Sequence, residues 1–261
     1  VVNAFHYRAL VVMEKIASAL GETGDAGMYR KKAASVRIAF QKMFFDTNRD
    51  IFVDGVGTDH ASLHANAFAL ALGLVDDKYK NSVLAHIRSR GMACSVYGSQ
   101  FLLDGIYDAN DGDYGLSLLT SKTDRSWFNM IKAGSTITME AWDNKYKPNQ
   151  DWNHAWGAAP ANIISRKLMG IEPITPGWSN FSIKPQIGRL KNAEIIVPTI
   201  KGSVKVVYIQ TDKSFEANID VPGNSSAQIY LPLKKSKRYE VILDGNRVKA
   251  TKVNQVVLVD K

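Results

Sequence analysis

Apolar residues in the first two thirds of the chain recur at steps of three and four. Phe5, Ala9, Val12, Ile16 and Ala19 form one such stripe, and Gly21 follows where a left-handed cap would end a helix. Asp25 reads as the N-cap of a second helix whose apolar face is Ala26, Tyr29, Ala33, Val36, Phe40 and Phe44. The same spacing predicts helices over 62–73, 77–90, 97–107, 114–119 and 151–168, joined by turns rich in Gly, Asp and Asn. Pro160 falls inside the last of these, where it either kinks the helix or marks its true first turn.

After GIEPITPGW, residues 170–178, the period changes. The runs AEIIVPTI, SVKVVYIQ, FEANIDV, AQIYLPL, YEVIL and QVVLV are short and rich in β-branched residues. Lys201-Gly202, Pro222-Gly223-Asn224 and Asp244-Gly245-Asn246 separate them as turns. A C-terminal antiparallel β-sandwich of about seven or eight strands fits this spacing. Two domains are expected, a helical one over residues 1–172 and a β-rich one over 173–261, with the Pro/Gly-rich stretch near residue 175 as the boundary.

Charge and composition narrow the function. The net charge is +8, but residues 97–154 carry 5 Lys+Arg against 8 Asp+Glu, whereas residues 175–261 carry 14 against 7. The excess therefore lies in the tail, away from the aromatic residues, which argues against nucleic acid and for a neutral or polyhydroxylated ligand. The first fifteen residues include Asn3, His6, Arg8 and Glu14, so they read as neither a secretion signal nor a membrane span. The compartment stays open between periplasm and cytoplasm, any targeting signal lying upstream, and the oligomeric state is not legible. Cys94 is the single cysteine and reads as core filling, which excludes an intrachain disulfide.

Four of the five tryptophans, Trp127, Trp142, Trp152 and Trp156, lie within 30 residues, with Tyr107, Tyr114, Phe128 and Tyr146 nearby. Sugar rings present apolar faces that stack on indoles and hydroxyl rims that need carboxylates, amides and imidazoles. Asp104, Asp108, Asp111, Asp113, Asp124, Glu140, Asp143, Asp151, Asn153 and His154 supply the second kind of group. On composition alone an aromatic core with solvated acids is equally compatible. In GSTITMEAWD, residues 134–143, Thr136, Thr138 and Glu140 alternate with Ile137, Met139 and Ala141. An extended segment would then hold the carboxylate opposite the apolar anchors, as a general base requires.

The run SWFNMIKAGSTITMEAWDNKYKPNQDWNHAWGAAPANIISRKLMGI, residues 126–171, resembles the α-L-rhamnosidases of glycoside hydrolase family 78. The signature there reads approximately Ser-Trp, then Gly-[Ala/Ser]-Thr-Thr-x-[Trp/Met]-Glu-x-Trp-Asp, then Asn-His. Residues 64–75, 98–120 and 174–188 look similar in the same order, and the β-rich tail resembles the family's C-terminal domain. The resemblance implies an incomplete (α/α)6 six-hairpin toroid followed by the β domain, and hydrolysis with inversion. It implies that Glu140 is the general base and that Trp142 and Asp143 complete its Glu-x-Trp-Asp element. His154 matches a histidine that contacts the sugar, Trp127 matches the tryptophan of the Ser-Trp pair near the pocket wall, and Trp152 is grouped with them as substrate-binding. Met139 departs from the family, many members having Trp there.

The family's general acid lies in a motif upstream of the helix that begins this chain, and no segment here resembles it. An inverting mechanism needs both carboxyls, about 6.5–9.5 Å apart. The expectation is therefore a fragment with little or no activity alone, acting within a glycosidase on terminal α-L-rhamnosides in an oligosaccharide, polysaccharide or glycoside. No cofactor, metal, nucleic acid or membrane is implied. His60 and His64, four residues apart, lack the third ligand a zinc site needs and read as helix surface. LKKSKRYE, residues 233–240, reads as an edge guarded by lysines rather than a polysaccharide patch. Another toroid carbohydrate-active enzyme and a non-catalytic sugar-binding module remain open alternatives.

Overall fold

A computed structural model describes residues 1–233, 240–253 and 256–260. The lysines and arginine of the 233–240 run lie outside the described residues. The chain divides into two compact units, Val1–Ala109 with Leu118–Gly157, and Asn110–Ser117 with Ala158–Lys261.

The first unit is built of helical hairpins. Helices α1 (Val2–Ala19) and α2 (Thr23–Phe44) pack through the small buried residues Ala4, Ala17, Ala26 and Ala33, with Gly21 at φ 80° turning the chain between them. Helix α2 starts two residues before the expected N-cap. Asp25 lies inside its first turn, where a carboxylate meets the positive end of the helix dipole. A short hairpin of β1 (Phe45–Asp46) and β2 (Ile51–Phe52) leads to α3 (Leu63–Ala71), whose cap Ser62 accepts the Ala65 N–H at 3.0 Å. The buried Asn66 ties the two together, accepting from Phe52 N–H and donating to Phe52 O, each at 2.9 Å. Helices α4 (Lys80–Arg90) and α5 (Gly98–Asp108) follow. Gly105 lets α5 approach α3, since a Cβ there would lie 3.1 Å from the Ala71 nitrogen.

Helix α6 (Gly112–Leu119) has its residues 112–117 in the second unit, and α7 (Trp127–Lys132) belongs to the first. The sequence period did not reveal α7, because six residues make less than two turns. The structure also corrects the expected helix over 151–168. Helix α8 spans only Ala159–Ile163, with Pro160 in its first turn, and continues as a π turn over Ile164–Leu168. Pro160 thus marks a start rather than a kink, and the residues before it form a backbone pairing described below and a short 3-10 turn over Ala155–Gly157.

The second unit carries β3 (Ile171–Pro173), β4 (Asn180–Ile183), β5 (Asn192–Thr199), β6 (Gly202–Gln210), β7 (Phe215–Asp220), β8 (Ser226–Pro232), β9 (Val241–Leu243), β10 (Asn246–Val248), β11 (Thr251–Val253) and β12 (Val256–Asp260). They form a five-stranded sheet in the order β11-β12-β8-β4-β3, a three-stranded sheet β5-β6-β7, and the hairpin β9-β10. β4 runs parallel to β8, and every other pairing among the described residues is antiparallel. Alternation holds on β6, where Val204, Val206 and Tyr208 are fully buried and the Tyr208 hydroxyl donates to Met169 O at 2.8 Å. Asp244 and Gly245, at φ 50° and 80°, make the two-residue turn expected of an Asp-Gly pair.

Candidate functional site

Residues 138–140 lie beside 151–154, joined by two backbone hydrogen bonds without forming a strand, and the chain bends at Glu140 and Ala141. Glu140 N–H donates to Asp151 O and His154 N–H to Thr138 O, each at 2.9 Å, and Ala141 N–H donates to the Gln150 side chain at 2.8 Å. This pairing fixes the side chains. Met139 is wholly buried while Glu140 faces the other way. Ile137, expected as a second anchor, is half exposed because the pairing begins only at Thr138.

Two buried indoles hold this segment. Trp142 donates its Nε1–H to Cys94 O at 2.7 Å, and Trp127 donates to Gly157 O at 2.8 Å. Their rings meet edge to face, 5.0 Å between centroids at 82°. Gly157 is required by close approach, since a Cβ there would lie 2.8 Å from both Met139 O and Thr138 Cβ, next to Glu140 in the chain.

Glu140 lines a cavity of about 580 Å³ within the first unit, together with His64, residues 93–97, Arg125, Tyr146, Lys147 and Trp156. Its carboxylate forms an ion pair with the Lys147 ammonium and accepts the Asp151 N–H at 3.2 Å. The Lys147 ammonium and, next, the Asp151 N–H hold the Glu140 carboxyl below the usual carboxylate range. The group is an ionised carboxylate fixed at a cavity wall, able to accept a proton from a water beside it. Cys94, also on the wall, has its thiol pushed up to about 12 by burial, so it offers no nucleophile.

Of the residues expected to act on or bind the sugar, Glu140 and Trp142 line this cavity, and Trp156 and Tyr146 of the aromatic cluster line it too. Trp127 is buried behind Trp142. Asp143 accepts from the Asn129 amide at 2.8 Å and from Lys145 N–H at 3.1 Å, and the Asn129 bond holds its carboxyl below the usual range. Trp152 is exposed and donates to Asn144 Oδ1 at 3.2 Å. The His154 ring stacks flat on Trp156, 4.1 Å between centroids at 3°, and Trp156 in turn lies 5.3 Å from Tyr97. Trp156 and Tyr97 present exposed ring surface to the cavity, the kind of platform a sugar face uses. Sequence reasoning missed His64, Tyr97, Arg125 and Lys147. Lys147 could have been found, because a chain that turns back after Glu140 brings the returning residues to its carboxylate. His60 pairs with Asp54, so the two histidines have separate surroundings.

Comparisons with known proteins match this arrangement to one family. Residues 1–168 match the bacterial alpha-L-rhamnosidase six-hairpin glycosidase domain, and residues 170–242 match the bacterial alpha-L-rhamnosidase C-terminal domain. An alpha-L-rhamnosidase of Alteromonas sp. (strain LOR) is 28% identical over 242 residues, which are 88% of this chain and 26% of that protein. The chain therefore spans about a quarter of the length of the curated relative it matches. The structure of an alpha-L-rhamnosidase from Dictyoglumus thermophilum superposes with a TM-score of 0.86 at 22% identity, covering 98% of this chain and 30% of that one. The Streptomyces avermitilis alpha-L-rhamnosidase complexed with L-rhamnose gives 0.78 at 22% identity, covering 99% of this chain and 25% of that one. With helical hairpins followed by β sheets, and with its first 168 residues matched by the family's own model, the chain belongs to the bacterial alpha-L-rhamnosidase six-hairpin glycosidase family.

Proposed function

We propose that this chain carries the base half of an inverting α-L-rhamnosidase active site, in which Glu140 activates the water that attacks the anomeric carbon. The observation that carries the reading is the Glu140 carboxylate, ionised and held from two sides on the wall of a sugar-sized cavity. Water donates a hydrogen bond to the free lone pairs of this carboxylate and transfers its proton as the C–O bond forms. The leaving oxygen needs a proton from a second carboxyl on the other face of the ring. Among the described residues lining the cavity, Glu140 is the one carboxylate. Asp104 accepts from Gln100, Asp124 pairs with Lys145, Asp143 is held by Asn129, and Asp151 contributes its backbone N–H. We therefore assign the acid to a segment outside these 261 residues. The substrate class is a terminal α-L-rhamnoside in an oligosaccharide, polysaccharide or glycoside.

The 261-residue chain alone is expected to bind L-rhamnose without hydrolysing a rhamnosyl disaccharide, whose sugar leaving group must be protonated. Calorimetry and product chromatography read the two halves of this expectation. Turnover by the chain alone would put the acid among its own carboxylates, and absence of L-rhamnose binding would remove the sugar site.

Lys147 sets a second expectation. A base with a depressed pKa is ionised throughout the neutral range and loses function only as pH falls through that depressed value. Lys147→Met removes the larger cause of the depression. The acid limb of kcat/KM, measured with the acid present, should then move to higher pH, toward the ordinary glutamate value of about 4.3. A limb that stays in place would show that Lys147 does not set the base.

A further inference from the structure

The cavity that holds Glu140 is more basic than the segment it comes from. Residues 97–154 are acidic overall, with 5 Lys+Arg against 8 Asp+Glu. Yet the cavity wall carries two cations, Arg125 and Lys147, against the one carboxylate of Glu140. The surrounding acids are occupied elsewhere, Asp124 by Lys145 and Asp143 by Asn129.

The two cations differ in kind. Lys147 is taken by Glu140. Arg125 is not taken. Its guanidinium carbon lies 4.8 Å from the centroid of the Tyr146 ring, a cation–π contact that leaves its N–H groups unused. Among the described residues no hydrogen bond or ion pair engages those donors. Arg125 is half-buried and immediately precedes Ser126, the residue that caps α7, so its backbone is anchored. A planar fork of N–H donors, pre-positioned on an aromatic face and facing a cavity, matches the geometry of a carboxylate or sulfate. A neutral sugar hydroxyl both donates and accepts, and a guanidinium can meet only half of that need.

We propose that Arg125 forms a subsite for an acidic substituent, the carboxylate of a uronic acid or a sulfate ester, on the sugar that adjoins the rhamnose. The inference rests on the reading of the cavity as a rhamnoside site and adds its substrate class, an acidic glycan. At about 580 Å³ the cavity sits within the roughly 300–1,000 Å³ usual for small-molecule sites, which leaves room for more than one ring. The exposed faces of Trp156 and Tyr97 supply stacking surface within the same cavity. Arg125 then reads the charge on the neighbouring residue while Glu140 serves the anomeric centre.

The test is calorimetric binding of three ligands to the 261-residue chain at low and high salt: an α-L-rhamnosyl-glucuronate disaccharide, its neutral rhamnosyl-glucose counterpart, and the sulfated form of the latter. The expected result is an affinity about tenfold or more higher for an acidic ligand than for the neutral one, weakening as salt rises. The stronger of the two acidic ligands identifies whether carboxylate or sulfate is the natural group. Arg125→Gln should bring the acidic and neutral affinities close together, and Arg125→Lys, which keeps the charge but not the fork, should keep part of the preference. Circular dichroism checks that both variants are folded. Equal affinities in the unaltered chain, or a preference that survives Arg125→Gln, would overturn the acidic subsite alone. Failure of all three ligands and of free L-rhamnose to bind would overturn both the subsite and the rhamnoside reading beneath it.

Discussion

Glu140→Gln is expected to lower turnover of an α-L-rhamnoside by about 10² to 10⁴-fold, the usual contribution of a general acid or base. The assay requires a chain extended at its N-terminus to carry the proposed acid. The substitution is close to isosteric. A glutamine oxygen can still accept the Asp151 N–H, so the backbone pairing of residue 140 with Asp151 should survive. What is lost is the lone pair that takes a proton from water, together with the Lys147 ion pair. The loss should therefore fall on kcat, with L-rhamnose affinity largely kept. Near-normal kcat in a folded Glu140→Gln variant would remove Glu140 from the chemistry. A binding module predicts the opposite pattern, weakened affinity with no turnover to lose.

Trp142→Ala should give the largest loss of stability. The side chain is 3% exposed, fills the space against Trp127, and supplies the N–H to Cys94 O. Removing a buried aromatic of this size costs about 3–5 kcal/mol. On the first unit's scale that corresponds to a fall in melting temperature on the order of 10 °C. Trp127→Phe offers a graded comparison. It keeps a ring beside Trp142 and loses chiefly the hydrogen bond to Gly157 O, so a smaller cost of about 1–3 kcal/mol is expected. Because Trp142 also ties the cavity wall at Cys94 to the Glu140 segment, Trp142→Ala should weaken L-rhamnose binding as well. Thermal unfolding with calorimetry on the same samples separates these effects, and an unchanged melting temperature would show that the two indoles do not anchor the segment.

The paired indoles also mark where sequence reading succeeds and fails. Helices α1 to α5 were legible because their apolar residues keep a helical step over about two and a half turns or more. The segment 151–168 misled, since pairing with 138–141 is a tertiary event that no local period announces. The burial of Met139 next to Glu140, which lines the cavity, was legible in their alternation with the threonines. The direction of Trp127 and Trp142 was not, because an aromatic cluster reads alike whether its N–H groups serve a ligand or the carbonyls of Cys94 and Gly157. His64 and Tyr97 come to the cavity from distant elements, and nothing near them in sequence points to it. Arg125 was hidden by averaging. The segment's net charge says nothing about which charges are already paired, and Arg125 stands out only once Asp124 is seen bound to Lys145.

The central claim is that Glu140 is the residue that prepares water for attack from the face opposite the leaving group. Chemical rescue tests it most directly. In the N-terminally extended chain, Glu140→Gly opens space where the carboxylate stood, and azide needs no deprotonation to act as a nucleophile. Added azide should restore turnover of an α-L-rhamnoside and yield the β-L-rhamnosyl azide, identified by NMR of the product. Absence of rescue in a folded variant that still binds L-rhamnose, or formation of the α-azide, would contradict the assignment of Glu140 as the inverting base.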